Sequence, residues 1–153
     1  MSGGPGRDEV RVTALSFTVP GCPVPKARHR SGKGHAFTPS KTRRYEALIG
    51  LVAGAALRSG WPSRAGCLHE VATGKRAKCS CPWCSSEFAV TLHVYFPDRR
   101  SRDLDNVAKS ILDGCNGVTW KDDRQVSELH IVRNYDKERP RVYVVIEMKA
   151  RQA

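Results

Sequence analysis

At 153 residues, 40% of them hydrophobic and 27% charged, the chain has the size and composition of one soluble globular domain with its own core. Its longest apolar stretch, Ala47–Leu57 (ALIGLVAGAAL), is too short for a membrane span, which needs about 18 residues or more. A net charge of +11 favours phosphate-rich polyanions through counterion release and makes nucleic acid the leading partner class.

Residues 1–9 are expected to be disordered, being rich in Gly near the start, and 10–153 to form the single domain. The first residues lack the basic-then-apolar pattern of a secretion signal, so a cytoplasmic location is expected, where the six cysteines need form no disulfides. In VRVTALSFTV the alternation of Leu15, Phe17 and Val19 predicts a strand ending at Pro20-Gly21. A stiff, proline-punctuated loop follows, carrying Lys26, Arg28, His29, Arg30, Lys33 and His35. Its SGKGH lacks the spacing of a phosphate-binding loop, and its histidines read as surface residues. Ser40 is placed to cap a helix to about Arg58, with Tyr45, Leu48, Ile49, Val52, Ala55 and Ala56 at helical spacing.

From Gly60 to Ser86 the apolar periodicity disappears and cysteines crowd together, the pattern of an insertion. FAVTLHVYF then predicts a half-buried strand through Phe88, Val90, Leu92, Val94 and Phe96. A second helix opens at Asp103 or Asp105 and buries Val107, Ala108, Ile111, Leu112 and Cys115, with Gly114 to Gly117 as its exit. Trp120 is expected to anchor the next turn against the core. Two more strands, VSELHIVRNY and RVYVVIEMK, flank a charged turn containing Pro140. The element order predicts an α+β fold: a small mixed β-sheet with two main helices packed on it and a Cys-rich insertion at 60–86.

Six of the fifteen acidic residues fall from Asp98 to Asp123, among Arg99, Arg100, Arg102, Lys109 and Lys121. Asp105, Lys109 and Asp113 are four apart and share one helix face, oblique to the apolar stripe. Asp122 and Asp123 are expected to fold back onto the same end of the sheet. Taken singly, these acids suit a helix N-terminus or a solvated turn. Together they repel one another unless a cation sits between them, and Mg²⁺ is the natural choice for oxygen donors that must also admit water and phosphate.

The segments VPGCPVPKARHR, TPSKTRRYE, FPDRRSRDLDNVAKSILDGCNGVTWKDDRQV and PRVYVVIE resemble the RusA-like Holliday junction resolvases, a family of crossover junction endodeoxyribonucleases. The resemblance implies a dimeric, Mg²⁺-dependent nuclease that makes paired cuts in four-way DNA junctions, with one or two ions per active site. By motif, Asp103, Asp105 and Asp123 match the family's metal-binding aspartates and Lys109 its required lysine. Asp113 and Asp122 fit the pattern in a supporting place. Lys26, Arg28, Arg30, Arg99, Arg100 and Arg102 are the candidates for gripping the phosphate backbone. Metal-assisted phosphodiester hydrolysis is the expected chemistry. Two alternatives stand beside it: a nuclease of the same chemistry acting on forks or flaps, and a non-catalytic, zinc-stapled DNA-binding module.

Within the insertion, CLHEVATGKRAKCSCPWC offers Cys67, Cys79, Cys81 and Cys84 as a structural Zn²⁺ site, with His69 as an alternative ligand. Cys81 and Cys84 have the two-residue spacing of zinc ligands. A loop of this length without a core would gain its order from the metal.

Overall fold

The computed structural model describes residues 14–27, 30–32, 35–58, 61–62 and 81–149. The expectations for residues 1–9, the start of the domain at 10–13, and Arg28, Cys67, His69 and Cys79 fall outside them.

The first strand, β1 (Ala14–Pro20), alternates buried and exposed as its sequence requires, with Leu15, Phe17 and Val19 facing inward. The chain then forms a short hairpin, β2 (Arg30–Gly32) with β3 (His35–Phe37), where the sequence reading has an extended loop. The signal for it lies in SGKG, in which two residues ending in Gly separate the paired positions. Helix α1 (Ser40–Ala56) buries Thr42, Tyr45, Ile49 and Ala53. Ser40 opens this helix, and the cap position itself belongs to Pro39.

A four-residue helix, α2 (Pro82–Ser85), leads into β4 (Glu87–Phe96). Helix α3 (Leu104–Cys115) connects β4 to a 3-10 turn (Asp123–Gln125) and β5 (Val126–Tyr135), and β6 (Arg141–Lys149) ends the fold. The four long strands form a mixed sheet in the order β1-β6-β4-β5, antiparallel except for the β4–β5 pair. Register aligns Phe17, Val144, Leu92 and Ile131 in one row across it. The central strand supplies Phe88, Val90, Leu92, Val94 and Phe96 to the core, all fully buried, because it is paired on both edges and covered on that face.

Helices α1 and α3 cover the face. They approach closely at Gly114, where a Cβ would lie 2.7 Å from the Ile49 Cβ and 3.0 Å from the Glu46 carbonyl oxygen. Trp120 is fully buried, its ring 5.6 Å from that of Phe88, and Phe88 in turn stacks on Trp61 at 5.5 Å. Burial pushes the Cys115 thiol up to about 12, making it an inert core group rather than a reactive one. No helix among the described residues is long and apolar enough to cross a membrane.

Candidate functional site

The strand-to-helix loop after β4 is shaped by Asp98. Its carboxylate accepts from the Arg100 backbone N–H at 3.0 Å and from both terminal nitrogens of Arg102, at 2.6 and 3.2 Å. The hydrogen bonds from Arg102 hold the Asp98 carboxyl below its usual range. The Arg102 guanidinium also lies 5.1 Å from the centre of the Phe96 ring, and Arg133 donates to the Arg102 carbonyl. Arg102 is therefore committed to the loop, while Arg100 is exposed and Arg99 sits over the Tyr135 ring at 4.4 Å. This loop delivers Asp103 to the N-cap position of α3 and Asp105 to its first turn, both exposed. Asn106 Nδ2 donates to Asp103 Oδ2 at 3.2 Å. Lys109 follows one turn after Asp105, also exposed, which is the shared face read from the sequence.

At the far end of α3, Asp113 is half-buried and accepts an ion pair from Lys26 Nζ at 2.8 Å. The same ammonium pairs with Glu46 on α1, and the Lys26 backbone N–H donates to the Asn106 carbonyl at 2.9 Å. Lys26 thus ties the loop after β1 to both helices, with only 15% of its side chain exposed. Its ammonium is engaged by two carboxylates, with which a phosphate would have to compete.

Asp122 and Asp123 occupy the turn that precedes β5. The Asp122 carboxylate accepts from the Arg124 backbone N–H at 3.0 Å and forms a reciprocal capping box with Gln125. Asp123, half-buried, has its carboxyl raised above the ordinary range, first by burial and then by hydrogen bonding and repulsion from Asp122 and repulsion from Asp113. The mutual repulsion of Asp122 and Asp123 would be relieved by a cation, and their oxygens are the donor type that suits a hard divalent metal.

The expectation that these acids return to the same end of the sheet as Asp103 and Asp105 is not met. Because β4 and β5 run parallel, the connecting helix must run back along them, and its two ends lie at opposite ends of the strands. Eight residues separate Asp105 from Asp113 along α3, a rise of about 12 Å at 1.5 Å per residue. In keeping with this, no group of three or more His, Cys, Asp or Glu residues poised for a metal exists among the described residues.

The remaining candidates are scattered. Arg30 lies in β2, apart from α3 in the sequence of elements. Cys81 and Cys84, both half-buried, flank the start of α2 and lie inside it, respectively. Sequence reasoning missed Glu46, Gln125 and Trp61. Gln125 had a readable signal, since Asp122-Asp123-Arg124-Gln125 has the spacing of a capping box. Trp61 donates from Nε1 to the Thr119 carbonyl at 2.8 Å, and nothing local in its sequence announces that partner.

The sequence was compared with known proteins. A family model described as Endodeoxyribonuclease RusA matches residues 20–147 of the chain. A search of curated proteins gave no match.

Proposed function

The chain belongs to the RusA endodeoxyribonuclease family, and on that premise we propose that it is a Mg²⁺-dependent resolvase of four-way DNA junctions, cutting paired strands as a homodimer. The observation that carries the reading is the division of the acidic motif: Asp103 and Asp105 at the start of α3, Asp123 beyond its end. Asp103, Asp105 and Asp123 would hold one or two Mg²⁺ ions, which supply activation of water and neutralisation of charge on the scissile phosphate. Lys109, exposed one turn beyond Asp105, would meet the phosphate and offset its charge. Arg99 and Arg100, exposed on the loop that enters the helix, would steer the backbone in. Arg43 and Arg44 on the exposed side of α1 add to the same positive field.

One copy of the chain keeps the two parts of the motif about a helix length apart, so a second copy is needed to unite them. β5 suits that pairing. It is a ten-residue edge strand, and it carries Leu129, Val132 and Tyr135, three of the six exposed large hydrophobics among the described residues. A long edge of this kind invites a further strand. Antiparallel pairing of two β5 edges about a two-fold axis would set the acidic start of one strand, with Asp122, Asp123 and Glu128, against the basic end of the other, with Arg133 and the Arg99–Arg102 loop. Asp123 of one copy would then lie on the side where the other copy begins α3. Two such sites, related by the axis, suit two opposed cuts.

The test is cleavage of a synthetic four-way junction with Mg²⁺. Asp105→Asn and Asp123→Asn should each lose at least about 100-fold in cleavage while still binding the junction. Mixing Asp103→Asn/Asp105→Asn protein with Asp123→Asn protein should restore nicking, because one site of the mixed dimer is then intact. Restoration to none, with each variant folded and dimeric, would place each site within one chain. Forks and flaps cut as fast as junctions would broaden the substrate class.

The reading includes a structural Zn²⁺ held by Cys67, Cys79, Cys81 and Cys84, with His69 as the alternative. Its support is the two-residue spacing of Cys81 and Cys84 and the need of a coreless loop for a staple. Metal analysis of protein purified without added metal should find about one zinc per chain; zinc-free protein with an unchanged melting temperature would remove it.

A further inference from the structure

Gln125 uses the whole hydrogen-bonding capacity of its amide between two segments that are distant in sequence. Its Oε1 accepts from the backbone N–H groups of Lys121, at 2.9 Å, and Asp122, at 3.1 Å. Its Nε2 donates to the carbonyls of Trp83, at 2.9 Å, and Ser86, at 3.0 Å. An amide has two donor hydrogens and two acceptor lone pairs, so every one of them is spent here. One segment is the turn that presents Asp123. The other is the stem, Cys81–Ser86, which carries α2 and leads into β4. The stem is itself fixed, with Trp83 only 4% exposed, Ser85 Oγ donating to the Cys81 carbonyl at 2.8 Å, and Ser86 Oγ donating to the Pro82 carbonyl at 2.7 Å. A second tie joins the same two segments, since Lys121 Nζ approaches Cys84 Sγ at 3.7 Å.

We propose that Gln125 is a positioning residue for the nuclease site: it fixes the backbone that presents Asp123 and couples that backbone to the base of the insertion. Asp123 lies between the two residues, Asp122 and Arg124, whose backbones are bound within the capping box, and Gln125 closes that box. Without the amide, two backbone N–H groups lose their acceptor and the carbonyls of Trp83 and Ser86 lose their donor, leaving the Lys121–Cys84 contact to join the turn to α2. The segment Cys81–Ser86 then acts as a buttress for a metal ligand, and a shift of that segment is felt at Asp123. This inference rests on the nuclease reading for its catalytic consequence, and on geometry alone for the coupling.

Two variants test it. Gln125→Ala removes both halves of the bridge. Gln125→Glu keeps an acceptor for Lys121 and Asp122 but turns a carboxylate oxygen toward the carbonyls of Trp83 and Ser86. Both should lower kcat on the junction by about 10- to 100-fold, the range for residues that orient metal ligands, with KM and metal-free junction binding unchanged. Hydrogen exchange, which does not depend on activity, should show the amides of 121–126 and of 84–86 speeding up together in Gln125→Ala, and those of 84–86 alone in Gln125→Glu. A role confined to general stability would lower the melting temperature and leave kcat per folded molecule at the wild-type value, which would overturn the proposal. Wild-type kcat in Gln125→Glu alone would overturn the coupling to the insertion, and unchanged exchange in Gln125→Ala would overturn the positioning. If the wild type cuts no DNA, the nuclease reading has failed, and the exchange data still judge the bridge.

Discussion

Asp103 and Asp105 stand exposed at the start of α3, reached by a loop whose own contacts belong to Asp98, Arg102 and Phe96. At the other end of the helix Asp113 is held by Lys26, Asp122 and Asp123 are framed by Gln125, and the turn follows directly on buried Trp120. One group is presented and the other is braced. The difference follows from what each end packs against: the start of α3 leaves Asp103 and Asp105 exposed, whereas its end meets α1 at Gly114 and is bonded at Asn116 to Trp120 of the Trp61–Phe88–Trp120 ring cluster. A site assembled from both would combine an exposed half, open to DNA, with a half whose geometry is preset.

The comparison breaks most readily at the braced end. Trp120→Ala should cost about 3–5 kcal/mol, as large aromatic deletions from a core do, read from chemical denaturation. A loss below about 1 kcal/mol, the scale of a surface change, would mean that the turn is not anchored by that ring. Gly114→Ala comes next, at about 1–3 kcal/mol, because a new methyl must push Ile49 and the Glu46 carbonyl aside. Lys26→Met should cost a similar amount or less, about 1–3 kcal/mol for leaving partly buried partners unpaired, while the salt dependence of junction binding stays as in the wild type. Arg100→Ala is its counterpart at the presented end: stability unchanged and the salt slope lower by about 1. A reduced salt slope for Lys26→Met would return that residue to the DNA contacts.

The four long strands and both long helices were legible because their signal is local. Leu15, Phe17 and Val19 alternate, and Val107, Ala108, Ile111 and Cys115 repeat at helical spacing, and each set is buried as its pattern requires. The exposed face shared by Asp105 and Lys109 was readable for the same reason. What sequence periodicity does not carry is direction. Whether β5 pairs parallel or antiparallel with β4 decides which end of α3 meets Asp123, and that choice rests on contacts far apart in the chain. The same limit applies to the cations. Lys26 and Arg100 look alike as basic residues in basic loops, and only their partners, Glu46 and Asp113 for one and mainly solvent for the other, separate a clamp from an open cation.

The smallest expected effect separates the two ends by sign. The Asp123 carboxyl is raised by burial, Asp122 and Asp113, so its ionised form disfavours the folded state whenever the pH exceeds the unfolded carboxyl value. In chelator near neutral pH, Asp123→Asn should therefore melt higher than the wild type, and the gain should fade as the pH falls through the carboxylate range and the wild-type group takes up its proton. Asp105 lies in the first turn of α3, where a negative charge favours the helix dipole by about 0.3–1 kcal/mol, so Asp105→Asn should melt slightly lower than the wild type at neutral pH. Added Mg²⁺ should raise the melting temperature of the wild type, since a ligand bound to the folded state stabilises it by mass action, and should do so for neither variant. Equal and same-signed shifts for the two substitutions in chelator would mean that the acids share one environment, and the contrast between a presented and a braced end would fall.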